Sequence, residues 1–210
     1  PSDEILSILS NSHLEDALLS AGISSTDDPI KDIKEPSVIH HLKKRFPWLV
    51  LGLSGSFITT FIVGSFDSML EKQILLATFI PAIVYMSDAV GNQTQTIFIK
   101  ATAMSSKIDF VFYMFRETKI ALVLGMILST IVFLISALLW KSPIISFIFG
   151  FSLLMAVIGA SIMAIILPII LKKFKIDPAV ASGPMASVMR DIYSLSIYLS
   201  FARLLLKLFG

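Results

Sequence analysis

Five long apolar runs dominate this chain and restrict what it can fold into. Each is close to or longer than the roughly 20 residues that an α-helix needs to cross a bilayer core about 30 Å thick. Because lipid offers the backbone no hydrogen-bond partners, a spanning segment must satisfy its own N–H and C=O groups, as a helix does. The sequence therefore predicts an all-α integral membrane protein with five transmembrane helices, at residues 48–66, 74–99, 120–140, 144–171 and 184–206.

Composition supports a lipid environment and excludes several kinds of chemistry. Hydrophobic residues make up 55% of the chain and charged residues only 15%, which is more apolar than is usual for a soluble domain. The chain has no cysteine, which excludes disulfides, cysteine-ligated metals and thiolate catalysis. It begins with Pro1 and a polar stretch, so we expect no secretory signal and a longer parent protein.

The distribution of basic residues predicts the orientation. An odd number of spans places the two termini on opposite sides of the membrane. Loops on the cytoplasmic side usually carry the excess of lysine and arginine. We therefore expect the N-terminus in the cytoplasm and the C-terminus outside, since the outer side has only Lys72, Lys141 and Lys207. The side of the N-terminus carries Lys43, Lys44, Arg45, Lys100, Lys107, Arg116, Lys119, Lys172, Lys173 and Lys175.

Two domains are expected. Residues 1–46 are polar and are predicted to be the end of a cytoplasmic domain followed by a connector, in which Pro36 begins a short helix. Residues 47–210 form the membrane domain. Its aromatic run at 110–115 is expected to lie on the cytoplasmic leaflet. The alanines 156, 160 and 164 predict close helix packing, either within a subunit or between subunits.

Asp191 is the residue of the last apolar run that most needs an explanation. A carboxylate near the centre of a membrane helix costs roughly 3 kcal/mol on insertion scales, so it usually marks an ion route or a proton relay. Ser187, Asp191, Ser194 and Tyr198 follow one another at spacings of four, three and four, which places them on one helical face. A stripe of oxygen atoms is typical of a site for a hard cation.

The second span carries a dense polar segment. Asp88, Asn92 and Gln95 fall on one face at helical spacing, and Gly91 allows another backbone to approach closely. One interpretation is hydrogen bonding between helices, which contributes about 0.6–2 kcal/mol per contact. The other is a cation pathway lined by amide, hydroxyl and carboxylate oxygens. We favour the pathway because two different spans each carry a carboxylate.

Four motifs resemble one family. They are D-P-A-V-A-S-G-P at 177–184 followed by Asp191, F-D-S-M-L-E at 66–71, G-N-Q-T at 91–94 and I-Y-L-S-F-A-R-L-L-L at 197–206. In order and spacing they resemble the MgtE magnesium channels and transporters, relatives of the animal solute carrier 41 proteins. The resemblance extends over residues 36–208.

The resemblance implies a function and an assembly. It implies a divalent cation channel or transporter of the plasma membrane, multi-pass and surrounded by lipid, that moves hydrated Mg²⁺. The pore would lie at the interface of a homodimer, lined by the second and fifth spans, with Mg²⁺ at Asp191. Mg²⁺ would also act as a regulator through a cytoplasmic sensor, of which residues 1–26 would be the last helix and residues 36–46 the connecting plug helix.

The candidate metal ligands follow from this resemblance and from magnesium chemistry. Mg²⁺ keeps several waters and is usually held by one or two carboxylates, so paired Asp191 side chains would supply charge while neutral oxygens contact the water shell. Asp88 stands where the family commonly has glycine and adds a carboxylate. Asp177 at the cytoplasmic mouth is either a ligand or an N-cap before Pro178. The predicted set is Asp191, Ser187, Ser194, Asn92, Asp88 and Asp177.

Arg190 departs from what a cation pathway requires. A guanidinium facing the ion would repel it, so we expect Arg190 to leave the pore face or to extend toward the cytoplasm. The alternative to a channel is an exchanger driven by sodium or protons, since charged and proline-broken helices also suit alternating access. We expect no enzymatic activity, because the glycine-bracketed aspartate of membrane aspartyl proteases is absent and no histidine lies in a span. We also expect no nucleic-acid partner.

Overall fold

The computed structural model describes residues 38–104, 109–174 and 178–209. These residues form helices and short connections, without a strand. Five of the helices are long and apolar enough to cross a membrane, at Phe46–Gly64, Ile74–Thr102, Phe110–Trp140, Pro143–Leu171 and Gly183–Phe209. The predicted all-α fold with five spans is therefore confirmed, while the orientation of the termini stays a prediction. The helices are α1 Val38–Gly64, α2 Asp67–Lys72, α3 Ile74–Met104, α4 Phe110–Trp140, α5 Pro143–Lys173 and α6 Pro178–Phe209.

Two helices begin earlier than their apolar runs suggest. Helix α1 continues without a break through Pro47, so the described part of the expected connector and the first span form one helix. Helix α4 begins at Phe110, and the aromatic run expected on the leaflet surface is its first part. The Asp109 side chain caps this helix by accepting hydrogen bonds from the backbone N–H groups of Val111 at 3.0 Å and Phe112 at 3.1 Å. At 31 residues, α4 is about 46 Å long.

Helix α5 is the centre of the bundle. More than half of its span is buried inside the chain, and it packs against α3, α4 and α6. Ala156, Ala160 and Ala164 are all 0% exposed. Small side chains allow neighbouring backbones to approach, so the alanine stripe serves packing within the subunit.

The ends of α3 and α6 are fixed against each other by aromatic side chains. The Tyr198 hydroxyl on α6 donates a hydrogen bond to the Leu76 carbonyl on α3 at 2.8 Å. Phe149 of α5 lies beside both helices, with its ring stacked on Phe79 at a centroid distance of 3.9 Å and tilted against Tyr198 at 6.3 Å. This hydrogen bond offsets the cost of removing the Tyr198 hydroxyl from water. These contacts hold α3 and α6 side by side.

Helix α1 packs closely on the first half of α6. A Cβ atom added at Gly55 would overlap the Val188 side chain, and one added at Gly52 would lie 3.3 Å from Pro184. Glycines at such positions let two membrane helices approach. Most of the remaining surface of α1 is exposed, with only 6% of its span buried in the subunit.

Several predictions concern residues outside the described part of the chain. They include the helix proposed within residues 1–26, the connector residue Pro36 and Asp177 at the cytoplasmic mouth.

Candidate functional site between helices α3 and α6

An arginine and an aspartate meet between α3 and α6. The Arg190 side chain is 0% exposed, whereas that of Asp88 is 30% exposed. Arg190 Nε donates to Asp88 Oδ1 at 2.8 Å, and Nη2 lies 2.7 Å from the same oxygen. A charge withdrawn from water is tolerated when a partner of opposite charge and further hydrogen bonds compensate it.

Amide oxygens complete the surroundings of the guanidinium. Arg190 Nη2 donates to Asn92 Oδ1 at 2.6 Å, and Nη1 donates to Gln95 Oε1 at 3.2 Å. Asp88, Asn92 and Gln95 share one face of α3, as their spacing predicts. That face is therefore turned toward Arg190 of α6, whose side chain is buried between the two helices.

The Asp88 carboxylate is fully engaged. Its Oδ1 accepts from two nitrogens of Arg190, and its Oδ2 accepts from Ser187 Oγ at 3.2 Å and from Asn92 Nδ2 at 3.4 Å. A carboxylate offers about four acceptor positions. In this arrangement all of them point to protein donors.

Gly91 makes room for this cluster. A Cβ atom at position 91 would overlap Arg190 Cδ and would lie 2.8 Å from its Nε. The close approach expected at this glycine is therefore present, although a side chain and not a backbone lies against it. Any larger residue would displace the guanidinium from its oxygen partners.

Among the described residues, Asp191 differs from Asp88 in having no donor beside its carboxylate. It is partly exposed, and within the described residues its carboxylate forms no hydrogen bond or ion pair. Ser194, expected on the same stripe, is 0% exposed and its hydroxyl donates to the Asp191 backbone carbonyl at 3.3 Å. The polar stripe of α6 thus turns inward beyond Asp191.

The remaining polar residues of α3 join it to α5. Ser87 Oγ donates to the Ala156 carbonyl at 3.5 Å, and the hydroxyls of Thr94 and Ser161 lie 3.4 Å apart. These contacts are the hydrogen bonding between helices that the sequence offered as one interpretation. The polar segment of α3 therefore has two uses, one toward α5 and one toward α6.

The structure brings most of the predicted ligands together. Asp88, Asn92 and Ser187 form one hydrogen-bonded group around Arg190, and Asp191 lies next to that group. Ser194 is buried and bonds to the backbone of its own helix instead of to this group. Asp177 is outside the described residues. As ligands of a cation, all six stay predictions.

Sequence reasoning missed a third carboxylate inside the spans. Glu117 lies inside the span of α4, where its side chain is 7% exposed and accepts a hydrogen bond from Arg116 Nη2 at 3.0 Å. The Arg116 guanidinium also lies 4.6 Å from the centroid of the Tyr113 ring. Starting the third span at residue 120 left these residues in a loop. The apolar run at 110–115, continuous with the span, was the signal that would have placed them in the helix.

The chain forms no cluster of metal-ligating side chains within the ranges that the structure describes. There, no three His, Cys, Asp or Glu side chains come together. Inside the candidate spans the carboxylates are Asp88, Glu117 and Asp191. The first two are paired with arginines, which leaves the Asp191 carboxylate as the one without a basic partner.

Five apolar helices long enough to span a membrane, with the Asp88–Arg190 ion pair between two of them, define a multi-span membrane protein with a polar cluster among its spans. Residues 80–201, from α3 to α6, match the MgtE family model, described as a divalent cation transporter. The chain belongs to the MgtE family. This confirms the resemblance seen in its motifs, and the matched residues include the whole Asp88–Arg190 cluster.

Curated relatives agree with the family model. The chain is 32% identical over 161 residues to the magnesium transporter MgtE of Bacillus subtilis, covering 76% of this chain and 36% of the relative. It is 30% identical over 208 residues to that of Thermus thermophilus, covering 98% of this chain and 45% of the relative. For that of Enterococcus faecalis the identity is 24% over 209 residues. The chain therefore spans less than half the length of the curated relatives it matches.

Proposed function

We propose that this chain is the membrane domain of a magnesium transporter of the plasma membrane, with Asp191 as the central ion site. The observation that carries this proposal is the partly exposed Asp191 carboxylate, which has no basic partner among the described residues, whereas the other two carboxylates inside the spans do. A lone carboxylate inside a membrane is costly. A bound cation would offset this cost by neutralising the carboxylate. The curated relatives are named as magnesium transporters, which supports Mg²⁺ as that cation.

The chemistry of Mg²⁺ fits a site of this kind. Mg²⁺ demands octahedral oxygen coordination and loses water reluctantly, so it is usually held by one or two carboxylates with several waters retained. Asp191 would supply the charge, and the water shell would contact nearby neutral oxygens such as Ser187 and the backbone carbonyls one turn before Asp191. Asp88 and Asn92 would become direct ligands only if Arg190 withdrew from them.

A homodimer completes the proposed site. One subunit offers a single unpaired carboxylate, while a doubly charged ion is balanced best from two sides. A two-fold axis brings the same residue from both copies to one place. We therefore propose that two Asp191 side chains face the ion across the axis, with α3 and α6 of each subunit lining the path. The exposed face of α3, which includes Tyr85 at 71% exposure, would face the partner.

Crosslinking tests the proposed dimer. Tyr85 lies about one helical turn before Asp88 on α3, and its side chain is exposed. Because the chain has no cysteine, Tyr85→Cys should be the only reactive thiol, and a short bis-thiol reagent should join two subunits through it. Ser194→Cys is the matched control, since Ser194 is buried inside its own subunit, and it should give no crosslink. A monomer that transports Mg²⁺ would contradict the dimeric pore.

The coupling of transport separates a channel from an exchanger. We propose a channel, because hydrated Mg²⁺ can pass a site made of one carboxylate from each subunit without a coupled ion. In proteoliposomes, Mg²⁺ influx should increase with an inside-negative voltage and should not change when sodium or proton gradients are imposed or removed. Influx that stops when one of these gradients is collapsed at constant voltage would show an exchanger instead.

A further inference from the structure

Arg190 and Asp88 form an internal salt bridge at the place where the sequence predicts oxygens for a cation. The guanidinium is 0% exposed, and it touches every member of the polar face of α3: the Asp88 carboxylate, the Asn92 amide oxygen and the Gln95 amide oxygen. Three oxygen-bearing side chains directed at one positive group are what a bound cation would require. Here the positive group is part of the chain.

We propose that Arg190 is a tethered counter-cation that neutralises Asp88 and keeps the oxygens of α3 from coordinating the transported ion. The charge offered to the ion is then that of Asp191 alone, which is −1 from each subunit. Arg190 would act through Asp88, so it is a positioning residue that determines how strongly the path attracts divalent cations. This inference rests on the proposed function of Asp191 as the ion site.

The geometry predicts opposite effects for the loss of Arg190 and the loss of Asp88. Asp88 has all four of its acceptor positions filled by Arg190, Ser187 and Asn92. Without Arg190, the two acceptor positions on Asp88 Oδ1 lose their donors, and a second carboxylate becomes available to attract the ion. Without Asp88, an unpaired guanidinium remains beside the ion path and repels a divalent cation. The two single changes should therefore shift ion affinity in opposite directions.

The test is a set of three variants of the protein: Arg190→Gln, Asp88→Asn and the double variant. The affinity is read as the half-saturating Mg²⁺ concentration for flux in proteoliposomes and as direct binding of Mn²⁺ to the detergent-solubilised protein by electron paramagnetic resonance. Arg190→Gln should lower the half-saturating concentration about tenfold, as a nearby unscreened carboxylate does for a divalent ion. Asp88→Asn should raise it, and the double variant should return close to the original value.

A purely structural salt bridge would behave differently. Both single variants would then lose thermal stability and flux together. Their Mn²⁺ affinities would not shift in opposite directions, and the double variant would not restore the original affinity. Either result in a folded protein would overturn the inference. If a single variant fails to fold, Arg190→Lys replaces it, because lysine keeps the positive charge with fewer hydrogen-bond donors. This variant should retain the original Mn²⁺ affinity and melt at a lower temperature. A tenfold change in its Mn²⁺ affinity would also overturn the inference. Because Mn²⁺ binding needs no transport, it separates failure of this inference from failure of the proposed function, which the flux of an Asp191 variant decides.

Discussion

Replacing Asp191 by asparagine should abolish Mg²⁺ flux while the protein still folds and assembles. Asparagine keeps the shape of the side chain and removes its charge. Within the described residues no basic side chain pairs with Asp191, so the change leaves no cation without its partner. The attraction between a carboxylate and a cation at 4 Å is about 4 kcal/mol per unit charge at an effective dielectric constant of 20. Losing one such interaction from each subunit should reduce flux by about 100-fold or more.

The measurement is Mg²⁺ influx into proteoliposomes at fixed voltage, with size-exclusion chromatography and thermal melting to establish folding. Glu71→Gln is the matched control, because it neutralises an exposed carboxylate on the short helix α2, and it should leave flux and melting unchanged. Normal flux from folded Asp191→Asn protein would exclude Asp191 as the central ion site.

A methyl group at position 91 should both destabilise the protein and impair transport. In Gly91→Ala the new Cβ would overlap Arg190 Cδ. Overpacking of this kind usually costs about 1–3 kcal/mol. Relief of the overlap requires Arg190 to move, which lengthens its bonds to Asp88 and Asn92 and leaves buried polar groups poorly paired. We therefore expect a lower melting temperature and a lower flux together.

Gly64→Ala is the control for this prediction. Gly64 is at the end of α1, and a Cβ there would lie 3.9 Å from Asp67 Oδ2, which is ordinary van der Waals contact. Thermal melting in detergent and Mg²⁺ influx should distinguish the two variants, since only Gly91→Ala should lower both. An unchanged melting temperature for Gly91→Ala would mean that the guanidinium has room to move, and would contradict the tight packing described for this cluster.

The spans and the special position of Asp191 could be predicted from the sequence because both follow from the lipid environment. Apolar runs of sufficient length have few alternatives to a helix across the bilayer. The error at α4 has a related origin: charged residues such as Arg116 and Glu117 interrupt the apolar pattern, although in the structure they pair with each other within the helix. Sequence spacing also placed Asp88, Asn92 and Gln95 correctly on one face of α3.

The sequence by itself determined the class of fold, which is five apolar membrane spans. It also showed that the carboxylate in the last span needs a partner of opposite charge. It did not determine which partner each charge would take. Asp88 and Arg190 are 102 positions apart along the chain, so their pairing depends on how α3 and α6 pack around α5. Helical periodicity fixes the direction of a side chain on its own helix, whereas the neighbour it meets is decided by the packing of the whole bundle. Only the tertiary structure therefore showed that Arg190 pairs with Asp88 and that the Asp191 carboxylate has no basic partner among the described residues.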